Sequence, residues 1–274
     1  MKFKNLLQLL GFKGRIRRYP YNVSELQLEG LGLVRSVKWG HPSESQEVIS
    51  MALVNGYKEY IKEGDFCIDI GAHGGDTTIP MGIAAGTAGC VLGLEPNPYV
   101  YPVLEKAVRA NQSLCNIKTI MAAAGREKGF MEFEYSDSGF CNGGRHEDMS
   151  VLTHGHAFKL TVFAVNLEEE LRADFNEWLP RFSFLKVDTE GFDLYVLQSI
   201  TNLLQEYRPV IKTEIFKKTS EDYRRQMLAL LEGLGYEVFR ISKEPLTKGD
   251  RWCSENLEIG AHYDILALPD RSGG

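Results

Sequence analysis

"DFCIDIGAHGGDTTIP", residues 65–80, is an apolar run that ends in an acid and then becomes nearly side-chain free. The run Phe66–Ile70 has strand character, and Gly71, Gly74 and Gly75 follow it within five positions. A helical pattern resumes at about residue 76. In a doubly wound sheet, a turn of this kind borders the crevice at the carboxyl ends of the strands, where ligands bind. Glycine lets the backbone turn sharply and lets a ligand lie against bare amides. The helix N-terminus behind the turn adds positive potential. The stretch therefore predicts the floor of a cofactor site, with Gly71 and Gly75 in backbone contact. His73 is expected either to touch the ligand or to cap the turn, and Thr78 lies one turn into the helix.

From Phe66 onward, strand and helix alternate. Strands are expected at 66–70, 90–94, 117–122, 184–188, 209–214, 235–240 and 263–267, and helices at 76–86, 98–111, 192–205 and 220–234. Short apolar strands between helices predict an α/β fold, a doubly wound, mostly parallel seven-stranded sheet covered on both faces. Two further strands, "FMEFEYS" and "KLTVFAV", flank a polar, glycine-rich stretch. Residues 136–158 are expected to form a lid-like insertion, because long loops of that composition are often functional. Residues 1–43 read as an N-terminal extension with a helix and a hairpin, and 44–270 as the main domain. A helix is expected over 44–62, capped by Ser43 or Ser45.

The composition narrows the function. The net charge of −6 gives no overall attraction to nucleic acid. Five scattered cysteines without CxxC spacing fit free thiols rather than a disulfide framework or a zinc site, so no metal ligand is assigned. With no secretory signal or long apolar run, a cytoplasmic location is expected. Residues 1–18 carry six basic side chains before the first acid, with Phe3, Leu6, Leu7 and Leu10 at helical spacing. They are expected to dock on the domain, with a peripheral membrane contact as the second option. Oligomeric state is not legible.

The glycines fail the G-x-G-x-x-G dinucleotide pattern, since His73 and Asp76 occupy its second and third glycine positions. Glu95 ends the second strand, 24 residues after Gly71, where a carboxylate can accept both hydroxyls of a ribose. Asp69, just before the glycines, suits a cationic or amino-bearing ligand. An adenosine compound with a positive centre and an amino-acid tail is S-adenosylmethionine.

"CIDIGAHGGDTT" and "LEPNP" resemble the first two motifs of class I S-adenosylmethionine-dependent methyltransferases. "FLKVDTEGFDLYVLQSI" at 184–200, "RPVIKTEIF" at 208–216 and "LGYEVFRI" resemble, in that order, blocks of the FkbM family. Two positions depart from the family pattern: His73 stands where it usually has Asn, and Phe216 where it often has His. The resemblance implies a class I, Rossmann-like methyltransferase with S-adenosylmethionine held by Asp69, Gly71, Ala72, His73, Gly75, Thr78, Glu95, Pro96, Asn97, Ala122, Ala123 and Asp188. The acceptor it implies is a hydroxyl of a sugar, glycolipid or secondary metabolite, a small molecule or a glycan. An NAD-dependent oxidoreductase and a non-catalytic binding module are the alternatives.

In "FLKVDTEG", Lys186, Asp188 and Glu190 share one face if the strand continues, and Glu214 ends the neighbouring strand. Mutual repulsion is expected to raise one carboxyl pKa toward neutrality, as a working base requires. Asp188 is expected to orient or deprotonate the acceptor hydroxyl, with Glu190 and Glu214 gripping neighbouring hydroxyls and Lys186 balancing the charge. Magnesium bridging these acids and a sugar diol is a further option.

Overall fold

The structure is a computed structural model that describes residues 15–44, 48–135, 138–141, 158–241 and 246–270. The expected helix over 1–18 lies outside the described residues except for 15–18, which are not helical. The lid-like insertion at 136–158 also lies outside them, except for 138–141 and Phe158.

The chain begins with a hairpin, β1 (Tyr21–Leu28) and β2 (Gly32–Trp39), followed by α1 (Met51–Tyr60). Ser50, not Ser43, caps α1, its Oγ accepting from the Leu53 amide at 3.1 Å, and Ser45 lies outside the described residues. Ser50→Ala should cost about 1 kcal/mol of stability, read from urea denaturation, because one orphan amide of the first turn loses its partner. An unchanged midpoint would show that water replaces the cap.

The alternation then runs β3 (Phe66–Ile70), α2 (Thr78–Ala85), β4 (Cys90–Leu94), α3 (Tyr101–Ala110), β5 (Ile117–Ile120). After β6 (Ala123–Gly125), β7 (Gly129–Tyr135) and β8 (Phe158–Asn166) come α4 (Leu167–Asp174) and β9 (Phe182–Val187). The helix expected at 192–205 is two, α5 (Asp193–Ser199) and α6 (Thr201–Tyr207). The chain closes with β10 (Val210–Ile215), α7 (Glu221–Gly233), β11 (Tyr236–Ile241), β12 (Lys248–Arg251) and β13 (Tyr263–Pro269).

The seven expected strands lie in one sheet, and an eighth, β12, joins its edge. The order is β12-β11-β13-β10-β9-β3-β4-β5. Parallel pairing links β10, β9, β3, β4 and β5, while β13 runs antiparallel between β10 and β11. The extra strand was missed because "KGDR" is exposed at every position and has no apolar signal.

Central strands are mostly apolar because each face is covered. Phe66, Ile68 and Ile70 enter one core with α4, α5, α6 and α7. Cys67 enters the other, with β2, α1, α2 and α3. The same alternation puts Cys90, Leu92 and Leu94 on the first face and Val91 on the second. From the N-terminal extension, Val34, Val37 and Trp39 enter this second core. β6, β7 and β8 form a separate three-stranded sheet beside the carboxyl ends of the main strands.

Candidate active site

A crevice of about 390 Å³ opens where β3, β4, β9 and β10 end and β13 begins. That lies at the low end of the roughly 300–1,000 Å³ typical of small-molecule sites. Among the sequence-predicted residues, Gly71, His73, Glu95, Pro96, Asn97, Ala122, Ala123, Lys186, Asp188, Glu190 and Glu214 line it. Asp69, Ala72, Gly75 and Thr78 do not.

Those four act beneath the floor. Asp69 is fully buried, and its Oδ2 accepts from the hydroxyls of Thr77 at 2.8 Å and Thr78 at 2.7 Å. Its Oδ1 lies 3.2 Å from the Lys186 ammonium, which also stands 3.4 Å from Asp188 Oδ2. Asp69 is therefore an anchor for Lys186 rather than a direct contact for the amino tail. Burial pulls the Lys186 pKa down, but Asp69 and Asp188 outweigh it and hold it well above the ordinary value. The Ala72 methyl packs toward Gly93, and Gly75, at φ 92°, faces Leu104.

The bare amides expected in the turn are taken. Gly71 and Ala72 donate to Leu94 O, Gly75 donates to Ala72 O, and His73 donates to Glu95 Oε2. Gly71 is required for a different reason. Its φ is 81°, and a Cβ there would lie 1.9 Å from the Asp188 carbonyl oxygen. The exit of β9, not a ligand, presses on this glycine.

Glu95 is 6% exposed and fixed by two backbone donors, the His73 amide at 3.0 Å and the Asn97 amide at 2.7 Å. Burial raises its pKa, against the pull of His73 and of these donors. Asn97 in turn donates Nδ2 to Phe140 O at 2.8 Å, and Phe140 stacks on Tyr99 at 4.9 Å. Phe133 and Tyr135, from β7 of the flanking small sheet, form with Phe140 an aromatic wall that lines the crevice along with Ala122–Ala124.

At the other end, strand β9 stops at Val187, so Lys186, Asp188 and Glu190 are not one continuous strand face. Glu190 reaches the crevice through a turn, with φ 57° at Glu190 and 103° at Gly191. The strongly raised pKa in the acid cluster belongs to Glu214, pushed up to about 9, first by burial and then by Asp188 and Glu190. Burial, then Asp188, also raises Glu190. Desolvation, more than the expected mutual repulsion, does this. The sequence reading missed three neighbours. His262 Nε2 stands 2.8 Å from Glu214 Oε1, and Lys212 Nζ 2.7 Å from Asp264 Oδ2. Lys212 was within reach of period-two reasoning, being two residues before Glu214. Asp264 and His262 were not, since only the antiparallel pairing Glu214↔Asp264 brings them in. Among the described residues, three buried side-chain atoms of the crevice have no hydrogen-bond partner: His73 Nε2, Thr189 Oγ1 and Glu214 Oε2.

Residues 69–238, more than half of the chain, match the methyltransferase FkbM domain. The chain belongs to the FkbM methyltransferase family. That family is one of methyltransferases and not of oxidoreductases, and the matched region carries most of the mostly parallel α/β sheet. No curated protein matches the chain. Among solved structures, it is similar to a methyltransferase FkbM from Methylobacillus flagellatus, at 14% identity and a TM-score of 0.46. That match covers 76% of this chain and 44% of the other, so this FkbM methyltransferase spans less than half of that relative's length. It is also similar to fibrillarin from Aeropyrum pernix with bound S-adenosylmethionine, at 18% identity and a TM-score of 0.44, over 93% of this chain and 97% of that one. An O-methyltransferase from Bacillus cereus in complex with SAH matches at 14% identity and a TM-score of 0.45, over 82% and 84%. Among the described residues, no helix is long and apolar enough to cross a membrane.

The crevice fits the methyl donor. Glu95 is an ionisable acid held rigid at a strand tip, with a lone pair on each oxygen beyond its backbone bonds. The turn at Gly71 removes side-chain bulk beside it, and small alanines and an aromatic wall follow.

Proposed function

We propose that this methyltransferase methylates a hydroxyl oxygen of a polyhydroxylated acceptor, a sugar, glycolipid or hydroxylated secondary metabolite. The observation that carries the reading is the buried Glu214 carboxyl, with Oε2 unpartnered and Oε1 against His262, in a wall shared with Asp188, Glu190 and Asp264. A wall of acceptor atoms suits a ligand that donates several hydrogen bonds.

Glu95 would hold the donor's ribose hydroxyls, and Ala122, Ala123 and the aromatic wall its flat base. The bound donor supplies an activated methyl group, so the chain's task is alignment and removal of one proton. Asp188, whose side chain is 40% exposed, orients the acceptor hydroxyl. Glu214 Oε2 takes the hydroxyl proton, and His262 steadies the ionised carboxylate from the solvent side. Lys186 holds Asp188 in place through its bond to buried Asp69. Magnesium is not part of this route: among the described residues, Asp188, Glu190 and Glu214 do not gather their oxygens into one cation-sized group.

The test is transfer of isotope-labelled methyl to matched acceptors: sugars, glycolipids and phenols against the corresponding amines, thiols and an RNA. Label should appear as a methyl ether on a hydroxylated acceptor, and Asp188→Asn should lower that transfer at least tenfold without changing S-adenosylhomocysteine affinity. Transfer only to nitrogen, sulfur or RNA would sink the reading.

A further inference from the structure

Glu44, His73 and Cys141 come from three separate segments: the stretch after the hairpin, the glycine turn, and the residue after Phe140. One ligand atom from each lies within 4.8 Å of the others, and among the described residues no other three His, Cys, Asp or Glu side chains do this. His73 Nδ1 is 3.5 Å from Glu44 Oε1. The other ring nitrogen, Nε2, is buried without a hydrogen-bond partner among the described residues. Cys141 is 2% exposed, and the Glu44 side chain 11%.

Two of the three are held on one scaffold. Glu95 binds the amides of both His73 and Asn97, and Asn97 binds the carbonyl of Phe140, next to Cys141. Pre-positioned ligands favour an ion, since little ordering is left to be done on binding.

We propose that Glu44, His73 and Cys141 form a site for a zinc-type transition-metal dication that clips these three segments together beside the donor pocket. Thiolate and imidazole favour zinc over magnesium or calcium, which prefer all-oxygen shells. Bonds of about 2.0–2.3 Å in a tetrahedron put ligand atoms roughly 3.3–3.8 Å apart, so only small side-chain shifts close the site. Three protein ligands leave a fourth position for water. The thiol must ionise to bind, so affinity falls as pH drops.

The test uses the full chain, stripped of metal and titrated with zinc against a chromophoric chelator, then with cobalt(II) as an optical probe. One equivalent should bind, and the cobalt form should show thiolate-to-metal absorption. His73→Asn keeps a residue that tolerates the left-handed backbone at φ 46°. It and Cys141→Ser should each weaken zinc binding beyond the roughly 10–100-fold seen for lost outer-shell partners. Failure of the folded wild-type chain to bind one equivalent would overturn the site, as would a cobalt spectrum without thiolate absorption. Unchanged zinc affinity in folded Cys141→Ser would mean adventitious metal only. If a variant fails to fold, the wild-type cobalt spectrum decides alone.

Discussion

Glu214→Gln lowers turnover at least about a hundredfold, within the usual range for a lost general base, while S-adenosylhomocysteine still binds. The amide is nearly isosteric but cannot take a proton. Donor affinity survives because the Glu95 and Glu214 strands, β4 and β10, are separated by β9 and β3 in the sheet. Three strand spacings amount to roughly 14 Å. In the unmodified enzyme, turnover climbs with pH as the carboxyl gives up its proton, levelling near its raised pKa of about 9. The imidazole 2.8 Å away favours the ionised form, so His262→Ala should move that climb to higher pH. The same substitution has a stability signature. Glu214 ionises near 4.5 when unfolded and at about 9 when folded, so the stability its proton contributes is complete below pH 4.5 and is lost as pH rises toward 9. Glutamine carries no such burden. Its advantage over wild type should grow across that window at up to about 1.4 kcal/mol per pH unit. A variant with normal turnover, or one whose relative stability is flat with pH, would remove Glu214 from the proton-accepting role.

Glu95→Ala should weaken S-adenosylhomocysteine binding by about 2 kcal/mol or more, roughly thirtyfold, through the lost ribose hydrogen bonds. Alanine also leaves the His73 and Asn97 amides without their acceptor, so part of its effect would come through the turn. Glu95→Gln halves the second effect. Its carbonyl oxygen keeps one backbone bond, and its amide nitrogen cannot accept from a hydroxyl. Calorimetry on folded Glu95→Gln should still show a weakened donor. Equal affinity in both variants and wild type would place Glu95 as turn architecture alone.

The strand and helix series was legible from Phe66 to Ile265, because central strands buried on two faces are apolar at most positions, with buried charges gathered toward their carboxyl ends. Glu95 was legible for a related reason: a charged residue directly after an unbroken apolar strand has to meet a partner. The roles of Asp69 and Thr78 were not. Adjacency to the glycine turn placed them at the ligand, whereas the pleat sends Asp69 under the floor to meet Lys186. Glu190 lines the crevice, but a turn with positive φ delivers it there rather than the strand alternation expected from the sequence.

The chain by itself determined the α/β class, the position of the crevice and its acidic strand tip. These follow from local periodicity and from where apolar runs stop, which neighbouring residues settle among themselves. Tertiary structure alone decided which carboxyl is raised and what stands beside it. Glu214 owes its pKa to the depth at which β10 is buried, and its imidazole to β13 threading antiparallel beside it, which sets Asp264 opposite it with His262 just before. Burial depth and cross-strand pairing join residues about fifty positions apart, and no short-range pattern in the sequence encodes them.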